Sequence, residues 1–183
     1  MNYAPLTTFD LSDLRMLGEL GDPKECCQFI MDVATKYLSE NDFVYLQQEY
    51  ENLRGVEVAR LLGVSEAYVC KRRRAVAKIV RAYVWFALHE TQIARAMRTA
   101  HMPKLEQDII MNLVRTRNTQ EALAKKLNVT QQCISQHFVS ANEALKTSTD
   151  PMLRDFASFL SVILYKRAQW PDDREKIAAW GRE

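Results

Sequence analysis

The chain has 183 residues, a formal net charge of +2 and 48% hydrophobic residues. This length suits one large domain or two small ones. Five glycines and five prolines are few for the length, which favours long helices over β-rich folds. No segment approaches the roughly 18 uninterrupted apolar residues of a membrane span. Residues 1–5 lack a basic region followed by an apolar core, so a secretion signal is not expected either.

The distribution of apolar and capping residues predicts an all-helical chain. A short helix is expected at residues 10–20. Asp22 and Pro23 then mark the N-cap and the first position of a helix over residues 23–38. Ser39 is the expected N-cap of the helix that follows. Outside the paired motifs described below, the later helices are expected at about residues 40–53, 66–100, 104–117, 150–169 and 172–180.

Residues 66–100 contain neither Gly nor Pro. At 1.5 Å per residue they form either one helix of about 50 Å or two helices that bend near Ala82 or Glu90. Three aromatic residues in this segment point around more than one face, so we expect them to be buried between domains or in a dimer. They are Tyr83, Trp85 and Phe86.

The helix that begins after Asp150 carries a broad apolar stripe. The stripe is wider than packing on one neighbouring helix requires. We therefore expect it either to join two chains or to seal the second domain, and the sequence favours a homodimer. The residues of the stripe are Leu153, Phe156, Phe159, Leu160, Ile163 and Leu164.

Residues 119–135 predict two short helices joined by a tight turn. Ala124 lies where the helices must approach closely, so only a small side chain fits. Asn128 stands at the turn, where one residue adopts positive φ, and Asn does this at low cost. Thr130 is the expected N-cap of the second helix. The apolar residues expected to fill the space between the helices are Leu123, Leu127, Val129 and Ile134.

The exposed face of this second helix carries amides and hydroxyls, which can read base edges in the major groove of DNA. Through T-Q-x-x-L-A-x-x-L-x-V-T-Q-x-x-I-S, the segment resembles the helix-turn-helix of the phage repressor and Cro family over about twenty residues. The alternative is a plain helical hairpin, which rarely combines these features. The expected base-reading residues are Thr130, Gln131, Gln132, Ser135 and Gln136.

The same motif occurs 65 positions earlier in the chain. Internal repetition of this kind sets the architecture, so the chain is predicted to contain two DNA-reading units. The matched pairs are Ala59 with Ala124, Leu62 with Leu127, Gly63 with Asn128, Val64 with Val129, Ser65 with Thr130 and Val69 with Ile134.

The first copy is similar to the fourth region of bacterial sigma factors. The resemblance rests on a leading helix at 45–53, the motif itself, and a basic, Ala-containing tail at 71–79. One position departs from that family, because Arg73 stands where an apolar residue is usual and where the second copy has Phe138. The expected base-reading residues of this copy are Ser65, Glu66, Cys70, Lys71 and Arg74.

Charge is distributed unevenly along the chain. Residues 1–54 hold 4 Lys and Arg against 10 Asp and Glu, whereas residues 55–100 hold 9 against 3. A basic middle is what phosphate contacts require. The acidic first part is expected to pack as a support or to dock a protein partner. The residues assigned to phosphate contacts are Arg72, Arg73, Lys78, Gln120, Lys125 and Lys126.

The sequence shows no catalytic constellation, so we predict no enzyme activity and no cofactor. The three histidines, His89, His101 and His137, are isolated from any nucleophile, and there is no Gly-rich phosphate loop. The cysteines show no metal-ligand spacing, so no metal site is expected. A redox switch at Cys70 is conceivable, but reduced, inert thiols are the simpler expectation. The cysteines are Cys26, Cys27, Cys70 and Cys133.

These observations lead to the hypothesis of a sequence-specific double-stranded-DNA-binding transcription regulator, a repressor or an activator. It is expected to be cytoplasmic and nucleoid-associated, in a bacterial cell or a phage-infected host. The predicted segments are the acidic N-terminal helices at 1–40, the first unit with its long helix at 41–100, the second unit at 101–148, and a C-terminal packing or dimerisation helix at 149–183.

Two alternatives remain open. One is a sigma-like accessory factor, whose acidic N-terminal part docks RNA polymerase while a helix-turn-helix reads a promoter. The other is a phage small terminase or a plasmid replication or partition protein, in which an oligomer holds DNA.

Overall fold

The computed structural model describes residues 22–50, 53–116 and 119–167. These residues form eight helices and no strand, which confirms the predicted all-α fold. The helices expected at 10–20 and 172–180 lie outside the described residues. None of the described helices is long and apolar enough to cross a membrane. The helices are α1 (Pro23–Tyr37), α2 (Glu40–Tyr50), α3 (Gly55–Leu62), α4 (Glu66–Thr99), α5 (Lys104–Thr116), α6 (Gln120–Leu127), α7 (Gln131–Thr147) and α8 (Pro151–Arg167).

Short polar side chains begin several of these helices, as predicted. The Ser39 hydroxyl accepts the backbone N–H of Asp42 at 3.1 Å at the start of α2. The Asp150 carboxylate accepts the N–H of Met152 at 2.9 Å at the start of α8. Helix α4 is a single helix of 34 residues, which decides between the two possibilities left open for this segment. After its end, His101 holds a left-handed backbone with φ 53°, which was not expected from the sequence.

The chain divides into two compact units, and the division falls within α4, between Trp85 and Phe86. Among the described residues, the first unit comprises 22–85 with 165–167, and the second comprises 86–164. These units differ from the four segments expected, since α4 is shared and most of α8 belongs with α5–α7.

Aromatic stacking marks the interior of each unit. In the first, Tyr37 of α1 stacks on Tyr83 of α4, with ring centroids 4.3 Å apart and planes 7° apart. In the second, Phe86 lies 6.0 Å from Phe156 and 5.4 Å from Phe159. The predicted aromatic cluster of α4 is therefore split between two separate cores.

The stripe on α8 is buried inside the chain. Its five described side chains are almost inaccessible, and Phe156 and Phe159 pack on Phe86 of the same unit. The favoured expectation, that this stripe joins two chains, is therefore wrong, and the stripe seals the second unit instead. The buried members are Leu153, Phe156, Phe159, Leu160 and Ile163, whereas the Leu164 side chain lies outside the described part.

Candidate nucleic-acid interface

Two pairs of helices carry the residues singled out in the sequence. We call α3 with the first turns of α4 the first helix pair, and α6 with α7 the second helix pair. In the second unit, α5, α6 and α7 all pack against one another. Their shared core consists of Ile109, Leu113, Leu123, Ala124 and Ile134, with Phe138 packed against it.

The two turns have the same local backbone geometry. Gly63 ends α3 with φ 62° and ψ 35°, and Asn128 ends α6 with φ 55° and ψ 44°. In both turns the following N–H donates to the carbonyl oxygen five residues earlier, at 3.0 Å. The prediction that Asn128 holds positive φ is confirmed, and Gly63 does the same at the matching position.

This geometry gives a prediction for Gly63. Replacement by alanine is expected to lower the free energy of unfolding by about 1 kcal/mol, because an L side chain is disfavoured at positive φ. No atom lies within 4 Å of the added Cβ, so the loss comes from the backbone alone. Replacement by asparagine is expected to cost less. Urea unfolding followed by circular dichroism compares the two, with Asn128→Gly as a near-neutral control. Equal losses for Ala and Asn would contradict this account.

The second helix of each pair begins with a capping hydroxyl. The Thr130 hydroxyl accepts the N–H of Cys133 at 3.1 Å, which confirms the predicted cap of α7. The Ser65 hydroxyl accepts the N–H of Tyr68 at 3.2 Å at the start of α4. Each hydroxyl keeps its own proton as a donor, so both residues retain one hydrogen bond to give.

The residues that fill the second helix pair differ in part from those predicted. Leu123 and Ile134 are buried in the three-helix core, as expected. Val129 and Leu127 are 42% and 39% exposed, so their predicted packing between the helices is wrong. Both residues flank the turn at Asn128, and the core is completed by Ile109 and Leu113 of α5 and by Phe138.

The outward face of α7 is polar and almost without charge. Gln131, Gln132 and Gln136 are exposed, and Ser135 is half-buried. At 3.6 residues per turn, these four positions fall on one side of the helix. From residue 131 to 142 the only titratable side chains are Cys133 and His137. The latter has its Nδ1 3.9 Å from Oε1 of the buried Glu106, on the side that faces α5.

The basic residues of α4 between positions 71 and 78 form two groups, one exposed to solvent and one directed into the first unit. Lys71, Arg74 and Lys78 are exposed, and their spacing places them along one side of the helix. Arg72 is only 3% exposed, and its Nη2 lies 2.8 Å from Oδ1 of Asp42. Arg73 is half-buried and donates from Nη2 to the carbonyl oxygen of Leu53 at 2.9 Å.

The prediction that Arg72 and Arg73 contact phosphates is therefore wrong. Both guanidinium groups are used inside the first unit, where they hold α2 and the segment before α3 to α4. A signal for this was present in the sequence. Arg73 matches the core-facing Phe138 in the repeat, and Arg72 lies between Val69 and Val76 at spacings of three and four residues.

The phosphate candidates of the second helix pair are more accessible. Lys125 and Lys126 are exposed near the end of α6, and Gln120 is half-buried at its start. The Nζ of Lys125 lies 2.9 Å from Oε1 of Glu121. Their hydrogen bond, reinforced by charge attraction, raises the pKa of Lys125 and lowers the pKa of Glu121. The Lys125 charge is therefore already partly offset inside the chain.

A further exposed cation was missed in the sequence. Arg60 on α3 is exposed, and the 65-residue offset places it on Lys125 of α6.

Glu66 and Cys70, two predicted base-reading residues of the first pair, lie beside the start of α3. A Cβ added to Gly55 would lie 3.6 Å from Cγ of Glu66 and 3.9 Å from Sγ of Cys70.

All four cysteines are free thiols. No group of three His, Cys, Asp or Glu side chains among residues 22–50, 53–116 and 119–167 is arranged to hold a metal ion. Comparison of the chain with protein-family models, curated proteins and solved structures found no match.

Proposed function

We propose that this protein is a sequence-specific double-stranded-DNA-binding transcription regulator with two helix-turn-helix units. One observation carries the proposal. Helix α7 begins after a left-handed turn at Asn128 and a cap at Thr130, and it presents Gln131, Gln132 and Gln136 to solvent while its opposite side is buried on α5 and α6. Amides at the start of such a helix suit base edges in the major groove.

The distribution of charge supports the same proposal. DNA binding draws much of its affinity from cations that neutralise phosphates. Exposed cations occur in both helix pairs, namely Arg60, Lys71, Arg74 and Lys78 in the first and Lys125 and Lys126 in the second. A location at the nucleoid of a bacterial or phage-infected cell would follow from this function.

The function is tested by selecting bound duplexes from a random pool and then measuring Gln132→Ala. We expect the variant to lose about 1–3 kcal/mol of binding free energy on the selected site and little on random DNA, because a base contact is made only on the right sequence. Titrations at one fixed salt concentration, with Ser158→Ala on the exposed side of α8 as control, measure both. An equal loss of binding free energy on both duplexes would show that Gln132 does not read a base.

The number of chains in the active form separates this role from its alternatives. Because the α8 stripe is buried, we propose that one polypeptide supplies both DNA-contacting helix pairs. Light scattering at tens of micromolar is then expected to give a mass near 21.2 kDa. A doubled mass would indicate a homodimer that forms through another surface. A ring of many subunits would favour a terminase-like or partition role, and co-purification with RNA polymerase would favour a sigma-like one.

A further inference from the structure

We infer that the two helix pairs divide the recognition of DNA between them. The first pair supplies sequence-independent attraction to phosphates, and the second pair selects the base sequence. This inference rests on the proposed DNA-binding function and goes beyond it by assigning a different task to each unit.

The cationic side of α4 fits phosphates better than bases. Lys71, Arg74 and Lys78 follow one another along one side of the helix and span about 10 Å at 1.5 Å per residue. A recognition helix reaches base edges mainly with its N-terminal residues. Arg74 and Lys78 stand two turns or more beyond the start of α4, and neither has an ion-pair partner in the described part of the chain. Both are therefore placed to meet the backbone of a duplex.

The start of α4 is poor in neutral groups that could read bases. Glu66 is exposed there, and a carboxylate repels phosphates and can accept hydrogen bonds only from the amino groups of cytosine and adenine. The Ser65 hydroxyl accepts the N–H of Tyr68 and so offers a base one donor, whereas each exposed amide of α7 offers a donor and an acceptor together. Lys71 and Arg74, expected from the sequence to read bases, lie on this continuous cationic side and suit phosphates instead.

The second helix pair presents mainly neutral amides, in contrast to the cationic side of α4. Along α6 and α7, two of the three lysines are paired within the chain, since Lys125 meets Glu121 and Lys146 meets Glu143. Lys126 is then the one described lysine of these helices without an ion-pair partner. Neutral amides release no counterions when they bind, so the α7 face adds little salt-dependent affinity. It can still discriminate between bases through bidentate hydrogen bonds.

The division predicts that affinity and specificity respond to different substitutions. The full chain is titrated with a selected duplex and a scrambled duplex over a series of KCl concentrations. Arg74→Ala with Lys78→Ala is expected to lower the affinity for both duplexes equally. It is also expected to flatten the slope of log K against log salt by about two units, since each phosphate contact contributes roughly 0.9. Gln131→Ala with Gln136→Ala is expected to leave the slope unchanged and to lower the ratio of the two affinities about tenfold or more.

Matched variants keep the test interpretable. Arg74→Lys with Lys78→Arg is expected to restore the slope, because the charge is kept. Arg95→Ala with Arg98→Ala removes two exposed arginines later in α4 and is expected to change neither quantity. If the α4 variant changes the affinity ratio, or the α7 variant changes the slope, the division of tasks is wrong while DNA binding stands. If the unaltered chain binds neither duplex, both the proposed function and the inference fall.

Discussion

Replacing Phe156 with alanine is expected to lower the free energy of unfolding of the second unit by about 3–5 kcal/mol. The ring is fully buried and lies 6.0 Å from the Phe86 ring and 5.6 Å from the Phe159 ring, between centroids. Removing it takes away apolar contacts and leaves a cavity that the surrounding helices fill only in part. Urea unfolding measures the loss.

The matched control is Val139→Ala on α7, because Val139 is 57% exposed and its side chain adds little to the core. The Phe156 variant is also expected to keep the solution mass of the unaltered chain, since the stripe faces inward. A loss below about 1 kcal/mol would show that α8 is not part of this core, because deleting a buried Phe side chain normally costs several times as much. A change in mass would show instead that the stripe takes part in assembly.

Replacing Asp42 with alanine is expected to destabilise the first unit by about 3 kcal/mol. The carboxylate faces the Arg72 guanidinium, whose side chain is 4% exposed, so its removal takes a counter-charge away from a buried positive charge. Arg72 also lies over the ring of Tyr45, at 5.9 Å, where it has little access to water. Circular dichroism during urea unfolding reports the change.

Two further variants separate the buried charge from other causes. Glu143→Ala breaks an exposed ion pair with Lys146 and is expected to have little effect. Asp42→Ala combined with Arg72→Met removes both charges and is expected to recover most of the lost stability, because a buried pair can be replaced by apolar groups at low cost. If the double variant is no more stable than Asp42→Ala alone, the buried charge is not the cause.

Features that depend on local backbone chemistry were predictable from the sequence. The left-handed turn at Asn128, the cap at Thr130 and the start of α8 at Asp150 each follow from a few neighbouring residues. The all-α fold followed from helix caps and the scarcity of Gly and Pro. These features do not depend on tertiary contacts.

Features that depend on distant partners were not predictable in the same way. The inward direction of Arg72 is decided by Asp42, a residue from another helix 30 positions away. The core of the second helix pair is completed by residues of α5, and two aromatic residues of the α8 stripe pack on Phe86. Periodicity showed that each side chain belonged to an apolar or a basic group, but the partner of each group was set by tertiary packing.

The inward arginines of α4 also determine which substitutions the basic run tolerates. Lys71 and Arg74 are exposed, and under the proposed contact with phosphates lysine and arginine would be interchangeable there. At residues 72 and 73 a planar group with several fixed donors is held by named partners, and lysine cannot reproduce that shape. The four adjacent basic residues at 71–74 are thus expected to tolerate different substitutions. A substitution matrix that scores all arginine-to-lysine changes alike would treat them as one.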